Sequence, residues 1–229
     1  MKLKLFLFVA VIVSALLFSC SDDNNKGYWG VMKSPNYVQT YLVANDFDLK
    51  EVEGADKYVL SILFKGEEIS NLYPANKLEF EALAKSFNDV SYSGYVMPNA
   101  NKALTEPLSI VSVTCDKDFD AEHNAGQSLD DIVLFCATSP YNFIQGGYKD
   151  FVKDEEYPDY WYGMIMNRDV GYKPIDMQIN AINRDNSLML YPICYLYFKK
   201  SPTTNGEYRF TVTIKVGDTD ITKNIQHSF

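Results

Sequence analysis

The sequence predicts a mainly β protein, an antiparallel β-sandwich with one short helix. Three observations carry that expectation. Tyr (17) and Phe (14) are abundant and Val, Ile and Thr recur in short runs, a composition that favours strands over helices. Tyr208, Phe210, Val212, Ile214 and Val216 alternate strictly with Arg209, Thr211, Thr213 and Lys215, the period-two pattern of a half-buried strand. The remaining apolar runs are of strand length and are separated by polar or Gly/Pro breaks.

Taken in order, the chain begins with MKLKLFLFVAVIVSALLFSC. Lys2 and Lys4 precede an apolar run over 5–18 that is too short for a permanent bilayer-spanning helix and has the length of a signal-peptide core. The run closes on Leu17-Phe18-Ser19-Cys20, which resembles the lipobox of bacterial lipoproteins. That resemblance implies cleavage after residue 19, acylation of the Cys20 thiol, and attachment to the membrane through that lipid. Residues 20–27 then read as the lipidated cysteine and a polar tether. Asp22 and Asp23 in the tether resemble the acidic export signal of Bacteroidetes lipoproteins, which implies display on the outer face of the outer membrane.

Residues 28–229 are the folded body, with room for an additional N-terminal β-rich subdomain. Residues 37–44 and 57–65 (KYVLSILFK) read as strands, the second ended by Gly66-Glu67-Glu68. Residues 78–87 are the best helix, with Phe80, Leu83 and Phe87 as the apolar stripe. A strand is expected at 90–97. Residues 98–107 (PNANKALTEP) hold two prolines and little apolar content, so any subdivision falls there. Residues 108–115 put Val111, Val113 and Cys115 on one face, and 131–137 (DIVLFCA) read as a strand covered on both faces. Pro192 marks 187–198 as an edge or bulged strand. Gly217-Asp218 turns the alternating strand into a weaker one near 221–225, a terminal hairpin.

The stretch Gly206-Glu207-Tyr208-Arg209-Phe210 resembles the tyrosine corner of immunoglobulin-like domains, with Phe210 where the inter-sheet cysteine would stand. The sandwich is therefore expected to be immunoglobulin-like, an apolar contact replacing the bridge. Residues 116–132 (DKDFDAEHNAGQSLDDI) and 202–214 (PTTNGEYRFTVTI) resemble a group of uncharacterised Bacteroidetes lipoproteins. That resemblance implies an exported, lipid-anchored domain and brings no activity with it.

Removing 1–19 leaves 19 basic against 30 acidic residues, a balance of −11. A surface this acidic repels nucleic acid and anionic lipid, so neither is expected as a partner of the body. Three cysteines remain beside Cys20. Cys115, Cys136 and Cys194 each sit in an apolar run and read as small buried hydrophobes, with a Cys115–Cys136 bridge as the alternative.

Two places could carry a ligand. Asp116, Asp118, Asp120 and Glu122 put carboxylates at every second residue, a pattern able to wrap calcium, although Ala121 and Gln127 depart from the EF-hand loop. The alternative is a solvated acidic loop between strands. Tyr160, Trp161 and Tyr162, beside Asp154, Glu155, Glu156 and Asp159, have the chemistry of a glycan platform, or equally of core tyrosines. No GxxxxGK, HExxH, GxSxG or Ser-x-x-Lys occurs, and His123 and His227 are the only histidines, so a three-histidine zinc site is excluded. His227 lies near the C-terminus, where fraying is the default. The first expectation is a non-enzymatic binding or adhesion module for a glycan. An envelope structural subunit pairing through 221–229 comes second, and a carbohydrate-active enzyme third.

Overall fold

The computed structural model describes residues 31–55, 57–98, 100–149, 151 and 171–229. Eleven strands follow in order: β1 (Met32–Lys33), β2 (Thr40–Glu51), β3 (Val59–Ser70), β4 (Tyr95–Val96), β5 (Lys102–Leu104), β6 (Leu108–Cys115), β7 (Val133–Ser139), β8 (Lys173–Gln178), β9 (Ile193–Phe198), β10 (Glu207–Val216) and β11 (Thr219–Ser228). Helix α1 (Lys77–Ser86) follows β3, and α2 (Tyr141–Gln145) follows β7. A six-stranded sheet, β5-β2-β3-β9-β7-β8, faces a three-stranded sheet, β11-β10-β6, and β1 pairs with β4 separately. The fold is thus a mainly β sandwich, as the composition and the alternation predicted. One pair departs from the antiparallel expectation, since β5 runs parallel to β2.

The core between the sheets is built by period-two patterning. Along β10 every second residue from Tyr208 to Val216 is buried, and these side chains meet the inward faces of β2, β3, β7 and β9. Strand β6 turns Val111, Val113 and Cys115 into the same core, as expected. Strand β7 is covered on both sides: Val133, Phe135 and Ala137 face the main core, while Cys136 packs with Val59 and Tyr195 on the opposite face. Cys115, Cys136 and Cys194 are all buried and none is bridged.

The tyrosine corner is present in geometry. Tyr208 is buried and its hydroxyl donates to the Thr204 carbonyl at 2.8 Å. Phe210 packs against Tyr58, Phe198 and Phe229 in place of a disulfide. Tyr208→Phe is expected to lose about 1 kcal/mol of unfolding free energy, read from the urea midpoint. The hairpin closes with Val216 opposite Thr219 and Gly217 at φ +56°, the positive φ that two-residue hairpin turns require.

Four expectations are corrected. Gly66-Glu67-Glu68 does not end β3, which runs on to Ser70. A bulge at Asn45 of β2 brings the Val43 carbonyl so close to Gly66 that an added Cβ would lie 1.9 Å from it. The glycine serves a close backbone approach inside the sheet rather than a turn. Residues 98–107 carry β5, whose Ala103 and Leu104 are buried against β2, and the strands before them share one sheet with β7 and β9. Pro192 stands just ahead of β9, whose place between β3 and β7 is central. The C-terminus is pinned, not frayed: Phe229 and Gly206 exchange both backbone hydrogen bonds, and His227 stacks on Tyr58 at 4.1 Å.

Helix α1 buries Phe80 and Ala84 on a second, aromatic core with Tyr37, Tyr41, Phe143 and Tyr172. It ends in a Schellman motif. Asn88 takes φ +60°, Asp89 N–H reaches the Ala84 carbonyl at 2.8 Å, and Asn88 N–H reaches that of Lys85 at 3.1 Å. This turn delivers Asp89 into the aromatic core. Its two carboxylate oxygens there accept the backbone N–H groups of Tyr37 at 2.8 Å and Val38 at 2.9 Å, and the Tyr148 hydroxyl donates to it at 2.9 Å. Of the strand expected at 90–97, only Tyr95–Val96 forms one.

Candidate functional site

The acidic loop between β6 and β7 is held by its own backbone. Asp116 accepts the Arg209 N–H at 2.9 Å and Asp118 accepts the Ala125 N–H at 2.8 Å. Asp120 accepts the N–H groups of Glu122 at 2.8 Å and His123 at 3.0 Å, an Asx-type turn that swings the histidine inward. The four carboxylates proposed for calcium therefore do not converge. Asp120 and Glu122 come together with His123, whereas Asp116 and Asp118 are outside that group.

His123 is the pivot of this loop. It is buried, with Nδ1 2.7 Å from Asp120 and Nε2 2.7 Å from Asp131. Lys200, at the end of β9, reaches the other oxygen of Asp120 at 2.7 Å. A neutral ring has one acceptor nitrogen, whose lone pair would face a carboxylate and be repelled by it, so this arrangement favours the imidazolium, which donates at both nitrogens. Burial acts to lower the ring's pKa, but the hydrogen bonds to Asp120 and Asp131 outweigh it and the net shift is upward. The Lys200 ammonium and then His123 hold Asp120 well below the usual carboxylate range, and His123 does the same to Asp131. In its doubly protonated form the ring offers a metal no lone pair. The cluster ties the acidic loop to Asp131, ahead of β7, and to Lys200, just after β9.

Because the folded state holds the His123 proton more tightly than the unfolded chain, the clamp contributes fully below the ordinary value of 6.5. It is lost as pH rises through the raised value. The stability difference between the native protein and His123→Ala is therefore expected to shrink as pH rises above 6.5, measured by urea unfolding at several pH values.

A groove of about 380 Å³ lies on the outer face of the large sheet, across β2, β3 and β9. Its apolar surface is Val52, Leu63, Ile193 and Tyr195, and Asp48, Glu51, Glu53, Lys50 and Ser61 supply polar groups. Period-two geometry explains the set: Phe64 and Ile62 point into the core, so Leu63 and Ser61 point out. Leu63 is 40% exposed. Asp48 is paired with Lys65 at 2.6 Å and Glu51 with His227 at 2.9 Å, which orients two carboxylates beside the groove. An apolar floor beside oriented carboxylates suits a ligand with a flat apolar face and hydroxyl or amine groups. Sequence reading missed this groove, because its residues come from strands far apart in the chain. An apolar residue at an outward position of a strand, Leu63, was the available signal, and it was not used.

Tyr160, Trp161 and Tyr162, as well as Cys20, lie outside the described residues. Among the described residues no helix is long and apolar enough to cross a membrane. No family model, no curated protein and no solved structure matches this chain.

Proposed function

We propose that this chain is the body of a surface-exposed bacterial lipoprotein, anchored through an acyl group on Cys20 and acting as a non-enzymatic binding module, with a glycan as the ligand class. The observation that carries the envelope reading is the apolar run 5–18 closing on Leu17-Phe18-Ser19-Cys20. The binding reading is supported by the groove on the outer sheet face, whose apolar floor and bordering carboxylates can stack on a pyranose ring and accept its hydroxyls. The alternative of strand-to-strand assembly through 221–229 draws less support. Strand β11 is a polar edge whose Lys223 is ion-paired to Asp46 and whose His227 is hydrogen-bonded to Glu51, both of β2, a device that discourages edge pairing.

The test is a glycan array read with the full chain and with Leu63→Arg, which fills the groove from a half-exposed position. Binding by the native protein that Leu63→Arg abolishes, at unchanged melting temperature, supports the reading. A blank array, or binding indifferent to Leu63→Arg, removes the groove as a glycan site.

A further inference from the structure

We infer that the paired segments 31–36 and 88–98 form the face that lies against the bilayer carrying the Cys20 lipid. The inference rests on the proposed acylation of Cys20 and adds the orientation of the body. The two segments run side by side. Met32 pairs with Val96 and Lys33 with Tyr95, Ser34 N–H reaches the Gly94 carbonyl at 3.3 Å, and Tyr92 N–H reaches that of Pro35 at 2.9 Å. Tyr95 is 60% exposed, Met97 59% and Val90 48%, and Lys33 and Pro35 are exposed beside them.

This ribbon is poor in charge. The protein carries a formal −9, yet residues 90–101 contain no charged side chain and 31–37 contain only Lys33. The one acid in the paired segments, Asp89, is buried. An acidic body can approach an anionic headgroup layer only through a face free of carboxylates, and this ribbon is such a face. Its exposed groups are of the kind that settle at the headgroup–acyl boundary: a tyrosine with an apolar ring and a polar tip, a methionine, a valine, and a lysine able to reach outward.

The short separation in sequence from Cys20 points the same way. Val31, the first described residue, opens this ribbon, and eleven residue steps separate it from Cys20. Fully extended they span at most about 40 Å. A tether this short holds the ribbon near the membrane at a high effective concentration, so a contact too weak to bind free protein is sufficient once the lipid is inserted.

The experiment uses the acylated full-length protein in phosphatidylethanolamine–phosphatidylglycerol vesicles, with a nitroxide label at Tyr95→Cys, Met97→Cys or Ile110→Cys. Ile110, on β6 of the small sheet, is comparably exposed at 49%. Unchanged thermal melting qualifies each variant. The expected result is that labels at 95 and 97 gain collisions with oxygen and lose collisions with a polar nickel reagent, while the label at 110 stays fully accessible to nickel. Equal nickel access at all three sites, in protein whose Cys20 is acylated by mass spectrometry, overturns the docking face and leaves the anchor standing. An unmodified Cys20 in native membranes overturns the anchor and the docking face with it. Spin–spin broadening at 95 in lipid-free protein overturns the membrane assignment in favour of a second copy of the chain.

Discussion

Asp89→Ala is expected to be among the most damaging single substitutions outside the main core. It removes the acceptor for two buried backbone N–H groups, those of Tyr37 and Val38, and for the Tyr148 hydroxyl. Each orphaned buried donor costs roughly 1–3 kcal/mol, so a loss of about 3 kcal/mol or more is expected. Guanidinium or urea unfolding monitored by tyrosine fluorescence measures it. The same carboxyl should also write a distinct pH signature. Burial pushes its pKa up from 3.8 to about 6, against the hydrogen bonds from Val38 and Tyr148 that pull it down. The folded state therefore binds this proton more readily than the unfolded chain, and the ionised group opposes folding. Stability contributed by this site is highest below 3.8 and falls as pH rises toward 6. That rise corresponds to about 3 kcal/mol. Asp89→Asn, which cannot ionise, should lack the slope over that window. Parallel curves for the two proteins between these pH values would defeat this account of Asp89.

Phe210→Ala is expected to cost about 3–5 kcal/mol, the range for deleting a fully buried phenylalanine. The ring is the hub joining the two sheets to the C-terminus: its centroid lies 5.2 Å from that of Phe198, 5.3 Å from Tyr58, 6.2 Å from Phe229 and 6.4 Å from Phe119. The neighbours come from separate segments of the chain, ahead of β3, in β9 and after β11, and cannot all collapse into one hole, so the cavity term should be large. Phe210→Leu, which refills most of the volume, should recover the greater part. A urea midpoint for Phe210→Ala within error of the native value would mean that the ring is not the element joining the sheets.

How much of this was legible depended on whether the determinant was local. The alternation over 208–216 and the continuous apolar run in 131–137 are signals written within a few residues; the first strand forms where it was read, and the second forms two residues later, over Val133–Ser139. The tyrosine corner was legible for the same reason, because its hydrogen bond spans only four residues. Gly66 misled because its role is set by Val43, across the sheet. Residues 102–104 misled because Ala103 and Leu104 are buried by a parallel partner 60 or so positions upstream. His227 misled because Tyr58, Glu51 and Phe229 hold it, and no local pattern announces them.

The acidic loop was legible as a link between two strands, but its internal wiring was not. The Asp120-x-x-His123 spacing was the informative part, placing a side-chain acceptor over the amides that follow and a ring beside it. Asp89 was overlooked entirely. An acid just past the C-terminus of a helix is unfavourable to the helix dipole, and that local conflict was the available sign that something else holds it.

The pairing of β3 with β9 has a kinetic consequence. Val59 lies opposite Tyr197, so the middle of the large sheet joins residues separated by most of the described chain. Neither partner can close that ladder until almost the whole polypeptide has been released from the machinery that makes or exports it. Loop closure must precede the gain in contacts, which places such a topology among slow folders, on the scale of milliseconds to seconds. Until the last strands arrive, the long edge of β3 stands open, and that interval is when the nascent protein most needs a holding chaperone.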